Sequence, residues 1–86
     1  MEGWILIDGK YLNKRYEFPD FKLALKFVNE IARVIELKEH HPELFISYGE
    51  VEVKMWTDKI SALSARDFEV AGRFDEIYKD LNRTRK

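Results

Sequence analysis

The chain has 86 residues, 36% of them charged and 45% hydrophobic, and a formal net charge of −1. That length predicts a single domain over residues 1–86. The near-neutral balance argues against nucleic acid as a direct partner, which normally leaves a basic excess. With no cysteine, disulfides, thiol catalysis and Cys-ligated metal are excluded. No apolar run approaches the ~20 residues of a membrane span, so no membrane partner is expected. The first residues, MEGWILIDG, carry an acid and no basic region. They predict no secretory signal, and hence a cytoplasmic location.

Asp8-Gly9 lies between two apolar-aromatic runs and predicts a type I′ hairpin turn. The hairpin joins a strand near Trp4 to Ile7 and one near Tyr11 to Phe18. Leu12, Tyr16 and Phe18 share one face of the second strand; Asn13, Arg15 and Glu17 take the other. Pro19-Asp20 then opens a helix, with Asp20 placed to cap free amides. Phe21, Ala24, Leu25, Val28, Ile31, Ala32 and Ile35 follow helical spacing, and Leu23, Phe27 and Val34 add a second stripe. One sheet face cannot cover so wide an arc. Either a second helix of the same chain or a subunit interface must do so.

Pro42 is expected to end the helical region. A second hairpin follows, turning at Tyr48-Gly49. Its outgoing strand sends Val51, Val53 and Met55 inward and Glu52, Lys54 and Trp56 outward. A tryptophan on that charged face points to binding or assembly as readily as to a stray exposed ring. Ser64 and Asp67 resemble a capping box at the start of a last helix, whose apolar stripe is Val70, Ala71, Phe74, Ile77, Tyr78 and Leu81. The expected fold is α+β, in the order β-β-α-β-β-α, with a four-stranded antiparallel sheet and both helices on one face.

The chain's two histidines, His40 and His41, stand side by side before Pro42. Adjacent residues of a regular element point in different directions, so the pair reads as a site in a loop. Histidine gives and takes protons near neutral pH, and two together suit an elimination of water. The competing reading is a helix-end pair of surface imidazoles facing the negative end of the helix dipole. Adjacent histidines rarely ligate one ion, so no metal is expected. Nothing resembles a serine elbow or a phosphate-binding glycine loop.

Trp4, the segment RYEFPDF, Glu36 with His40, His41 and Pro42, then Tyr48, VEVKMWT and LSARD together resemble the pterin-4a-carbinolamine dehydratases. The resemblance runs over nearly the whole chain. It implies that a 4a-hydroxytetrahydropterin loses water to give the quinonoid dihydropterin, with the pterin as substrate and no cofactor. It implies that His40 and His41 move the protons and that Glu36 orients an imidazole. Thr57, Asp58 and Lys59 would hold the pterin through their backbone, with Pro42 beside them and Trp4 walling the pocket. The family commonly has a third histidine where this chain has Asp58. Asp58 accepts a hydrogen bond or acts as a base, but is a poor acid near pH 7 unless its pKa, ordinarily about 3.9, is raised. Binding is therefore expected with or without a full catalytic rate. Relatives in the family also serve as a dimerisation cofactor. The alternative function is a catalytically weak pterin-binding or assembly module on the same fold. In either case a chain this short gains from forming a homodimer or homotetramer.

Overall fold

The two alternating segments and the two helical repeats fold into one sheet backed by two helices. This computed structural model describes residues 3–57 and 63–84. In chain order the elements are β1 (Ile5–Ile7), β2 (Tyr11–Glu17), α1 (Phe21–Lys38), β3 (Glu43–Ser47), β4 (Glu50–Met55) and α2 (Ala65–Thr84). The four strands form one sheet in the order β1-β2-β4-β3, and every neighbouring pair is antiparallel. The expected α+β arrangement is the one observed. Among the described residues no helix is long and apolar enough to cross a membrane.

The first turn forms as its residues require. Asp8 and Gly9 both have positive φ, 53° and 64°, and the Lys10 N–H donates to the Ile7 carbonyl at 2.9 Å. Those are the left-handed conformations of a type I′ turn, which Asp and Gly tolerate. In the second hairpin, Ser47 pairs with Glu50 around Tyr48-Gly49. There the Gly49 carbonyl accepts the Phe18 N–H at 2.8 Å, and a Cβ on Gly49 would stand 3.0 Å from the Phe18 carbonyl oxygen. The close approach of β2's end to this turn is what calls for glycine.

Period two sets the faces. Leu12, Tyr16, Val51, Val53 and Met55 are buried in one core cluster with Ala24, Phe27 and Ile31 of α1 and Val70, Ala71 and Phe74 of α2. Tyr16, Phe18, Phe27 and Tyr78 form its aromatic part, with ring centroids 4.7 to 5.4 Å apart for four of the pairs. Lys14 shares the inward face, but its ammonium reaches the Asp75 carboxylate of α2 at 2.8 Å. Both helices therefore lie against the same side of the sheet.

The wide apolar arc of α1 is only partly covered. Ala24, Phe27, Ile31, Val34 and Ile35 are buried, while Phe21, Leu25 and Ala32 remain exposed. The second helix of the same chain thus covers the middle of the arc and leaves one row open. At the N-terminus of α1, Asp20 acts as the expected cap: its carboxylate accepts the Leu23 N–H at 2.8 Å.

Candidate active site

The helix does not end at proline. It ends at Lys38, where Glu39 takes a left-handed conformation with φ 51° and ψ 43°. The Glu39 N–H then bonds to the Glu36 carbonyl at 3.4 Å and the His40 N–H to the Ile35 carbonyl at 3.2 Å. This pair of reversed bonds is a Schellman motif, which commonly brings the residue after the turn against the last helical turn. Here that residue is His40, and the motif turns its side chain inward. His40 is 6% exposed, whereas His41 is exposed. A loop site would leave both imidazoles at least partly exposed, but His40 is buried, because one left-handed residue separates two neighbours into core and surface.

Inside, His40 meets α2. Its Nε2 lies 2.5 Å from Oδ1 of Asp67, which is fully buried. The other carboxylate oxygen of Asp67 accepts the Thr57 hydroxyl at 2.7 Å and the Ser64 N–H at 2.8 Å. In the tautomer protonated at Nε2, the imidazole N–H donates to Oδ1 of this carboxylate. Buried charge is expensive unless it is fully hydrogen-bonded, and Asp67 meets that condition from three sides. Among the described residues no buried side-chain nitrogen or oxygen lacks a partner. Among the described residues Nδ1 of His40 has no hydrogen-bond partner.

Two further contacts fix this junction. Lys38 pairs with Glu69 at 2.5 Å, and Arg66 donates to the Lys38 carbonyl at 3.4 Å. The hydrogen bond from Lys38, and then its charge, hold the Glu69 carboxyl below the usual carboxylate range. The end of α1 is thereby tied to the start of α2, which holds His40 against Asp67.

The other candidate residues fall as follows. Glu36 is exposed, and the carboxylate that holds His40 is Asp67's rather than Glu36's. The one-turn spacing from Glu36 to His40 would pair them only on a continuing helix, and α1 stops at Lys38. Pro42 is half-buried at the entry to β3. Thr57 lies beside Asp67, as its hydroxyl contact shows. Asp58 and Lys59 lie outside the described residues.

Trp4 is placed elsewhere. Its indole N–H donates to Asp75 at 3.0 Å, and its ring packs edge-on against Tyr16 at 6.1 Å. Asp75 follows Asp67 on α2 by 8 residues, about 12 Å of helix rise. The structure therefore brings together His40, Thr57 and Asp67, and gives Trp4 to a separate network. There Asp75 also accepts the Tyr16 hydroxyl at 2.6 Å and the Lys14 ammonium at 2.8 Å. Burial, and then the Asp75 carboxylate, push the Tyr16 phenol well above its ordinary value.

Asp67 is the site residue that the sequence pattern conceals. Its signal was present as the Ser64–Asp67 capping pair, with Asp in the place of the usual Glu or Gln. Asp67 does reach back to the Ser64 N–H, while its other oxygen serves His40. One residue starts the helix and holds the imidazole. Among the described residues no group of three or more His, Asp or Glu side chains is arranged to hold a metal ion.

Comparison with known proteins identifies the family. Residues 1–77 match the family described as Pterin 4 alpha carbinolamine dehydratase. A Rickettsia bellii protein provisionally named pterin-4-alpha-carbinolamine dehydratase is 43% identical over 72 residues, which are 84% of this chain and 64% of that protein. The chain thus spans less than two-thirds of that relative's length. A Saccharolobus islandicus protein of the same provisional name is 35% identical over 78 residues, covering 90% of this chain and 79% of the relative. Among solved structures, the transcriptional coactivator/pterin dehydratase from Brucella melitensis superposes with a TM-score of 0.86 at 29% identity, covering 91% of this chain and 84% of that one. A pterin dehydratase-like protein identified as a RuBisCO assembly factor in the alpha-carboxysome superposes at 0.77 with 18% identity, covering 90% of each chain, and that likeness shows the fold alone. With the match running through both hairpins, the histidine turn and the start of α2, the chain belongs to the pterin-4-alpha-carbinolamine dehydratase family.

Proposed function

We propose that the protein dehydrates a 4a-hydroxytetrahydropterin to the quinonoid dihydropterin by general acid–base catalysis. The observation that carries this reading is the His40–Asp67 pair at 2.5 Å, buried beside an exposed His41 in a chain of this family. The reaction breaks the C4a–oxygen bond and removes the N5 proton. The electron pair of the N5–H bond becomes the new double bond between N5 and C4a, and the hydroxyl leaves as water once protonated. His41, free to turn in solvent, protonates the departing oxygen. His40 takes the N5 proton at Nδ1, and Asp67 compensates the charge that the ring gains. Pro42, Thr57, Asp58 and Lys59 border the pterin, with Asp58 as an acceptor where the family commonly has histidine. Glu36, one turn back on α1, supports the site from its rim.

We further propose that the chain works as a homodimer or homotetramer, with the open row of α1 as contact surface. The same row supports a second reading, a pterin-binding or assembly module with little turnover, and Asp58 favours it. Stopped-flow measurement of carbinolamine dehydration separates the two. Acceleration over buffer is expected, and a rate equal to buffer would end the enzyme reading.

A further inference from the structure

Thr57 follows the end of β4, and Ser64 stands directly before α2. Both hydroxyls turn to the carboxylate that holds His40. The Thr57 hydroxyl donates to Oδ2 of Asp67 at 2.7 Å. The Ser64 hydroxyl lies 2.8 Å from the Thr57 oxygen and 3.4 Å from Oδ2. A hydroxyl has one proton to give. Thr57 gives its proton to Asp67, so Ser64 is the donor between the two hydroxyls. The Ser64 N–H supplies a second donor to Oδ2 at 2.8 Å, and Oδ1 is left to His40. The chain of bonds runs from Ser64 through Thr57 and Asp67 to His40. It joins the end of β4, the start of α2 and the turn after α1.

The bond from the Ser64 N–H already completes the start of α2 in the manner of a capping box. The Thr57 hydroxyl is not needed there, since both of its bonds go to side chains. Its effect falls on the charge of the carboxylate. Each donor to Oδ2 draws negative charge away from Oδ1, and a carboxylate shared in this way holds an imidazolium less strongly. The other charged groups at this junction are Lys38, Glu69 and Arg66. Lys38 and Glu69 offset each other as a pair, and Arg66 is turned to the Lys38 carbonyl. His41 is exposed.

We infer that Thr57 is a positioning residue that sets the proton affinity of His40 through Asp67, with Ser64 holding the Thr57 hydroxyl in line. Its consequence rests on the dehydratase reading. A base for the N5 proton has to arrive unprotonated, and an Asp67 with fewer donors would hold the proton on His40 more tightly. Thr57 also directly precedes Asp58 in sequence, so the same bond anchors one end of the segment proposed to border the pterin.

The test is an NMR titration of the two imidazoles in the full chain, run beside the pH–rate profile of dehydration. Thr57→Val keeps the side chain's shape and removes the hydroxyl. It should raise the midpoint of the His40 titration by about one pH unit, the scale of one hydrogen bond to a charged group. The midpoint of exposed His41 should stay where it is. The acid limb of the rate profile should move up with His40, so that the loss of rate is greatest at low pH and shrinks as pH rises. Thr57→Ser should restore both readouts. Ser64→Ala keeps the backbone donor and should give a smaller rise. A substitution that only loosened the fold would lower the rate evenly across pH and leave the His40 midpoint in place. If Thr57→Val folds and its His40 titrates as in the parent, the inference is wrong and the dehydratase reading is untouched. If Thr57→Val does not fold, Ser64→Ala decides, and an unmoved His40 midpoint overturns the inference in the same way. A parent that gives no acceleration over buffer ends the dehydratase reading and the catalytic consequence with it. That failure is told apart from the first by a His40 midpoint that still moves in Thr57→Val.

Discussion

His40 and His41 are neighbours in sequence and opposites in environment, so the same substitution should read differently at each. His41 is exposed. His41→Ala should slow dehydration by about 10² to 10⁴-fold, the usual contribution of an acid or base. Its stability should stay within about 0.5 kcal/mol of the parent. His40→Ala should lose the rate and also destabilise by about 3 kcal/mol, because it strips the buried Asp67 of one of its partners. For a domain of this size that is a fall of more than 10 °C in Tm, at roughly 4–8 °C per kcal/mol. A His40→Ala protein that melts with the parent would refute the buried pair. Tyr16 carries a second residue-scale prediction. Burial and the Asp75 carboxylate hold its phenol protonated well above the ordinary value of about 10. Above that pH the unfolded chain releases a proton that the folded chain keeps, so stability falls as pH rises, and is fully present below it. Urea titrations at pH 9 and 11 should show this loss in the parent. Tyr16→Phe should start about 1–2 kcal/mol lower and lose less between the two pH values, since it removes both the hydrogen bond and the titrating group.

The turn after α1 does at the level of an element what no side chain announces. Glu39 sits at φ 51°, where a residue with a Cβ is strained by roughly 1–2 kcal/mol. Glu39→Gly should relieve that strain and stabilise the protein by up to about 1 kcal/mol in chemical denaturation. A loss of stability would mean that the Glu39 side chain contributes more than its backbone costs. The elements themselves were legible in sequence because each rests on a local rule. Asp8-Gly9 dictated its turn, period two sorted Val51 and Val53 from Glu52 and Lys54, and Asp20 capped α1 as its position implied. The stop was misplaced because proline is the visible breaker, whereas the actual stop needs only one residue willing to turn left-handed. Glu gives no sign of that. The burial of His40 was illegible for the same reason: alternation rules cover strands and helices, and a Schellman turn obeys neither.

At the scale of the whole molecule, what stayed hidden was long-range. Trp4, Lys14 and Tyr16 all converge on Asp75, more than 55 residues away in sequence, and no local pattern predicts three donors on one carboxylate. The two stripes of α1, by contrast, were visible, and the fold decides which is covered. Packing on α2 and the sheet centres the buried face on Phe27 and Ile31. Phe21 and Leu25 are left 41% and 40% exposed. With half-buried Val28 and exposed Ala32 they form a single row along the helix, at spacings of four, three and four residues. A contiguous apolar row of this kind usually marks an association surface. Two copies meeting through it along a two-fold axis would bury the same row on each, the common closed solution for a self-complementary face. Light scattering at micromolar concentration should therefore return at least twice the mass of one chain. Leu25→Lys places a charge in the centre of the row, at a position outside the buried core cluster. It should shift the protein to monomer while leaving the circular dichroism spectrum unchanged. A parent that scatters as a monomer would refute the assembly, and a Leu25→Lys protein that stays oligomeric would move the interface to another surface.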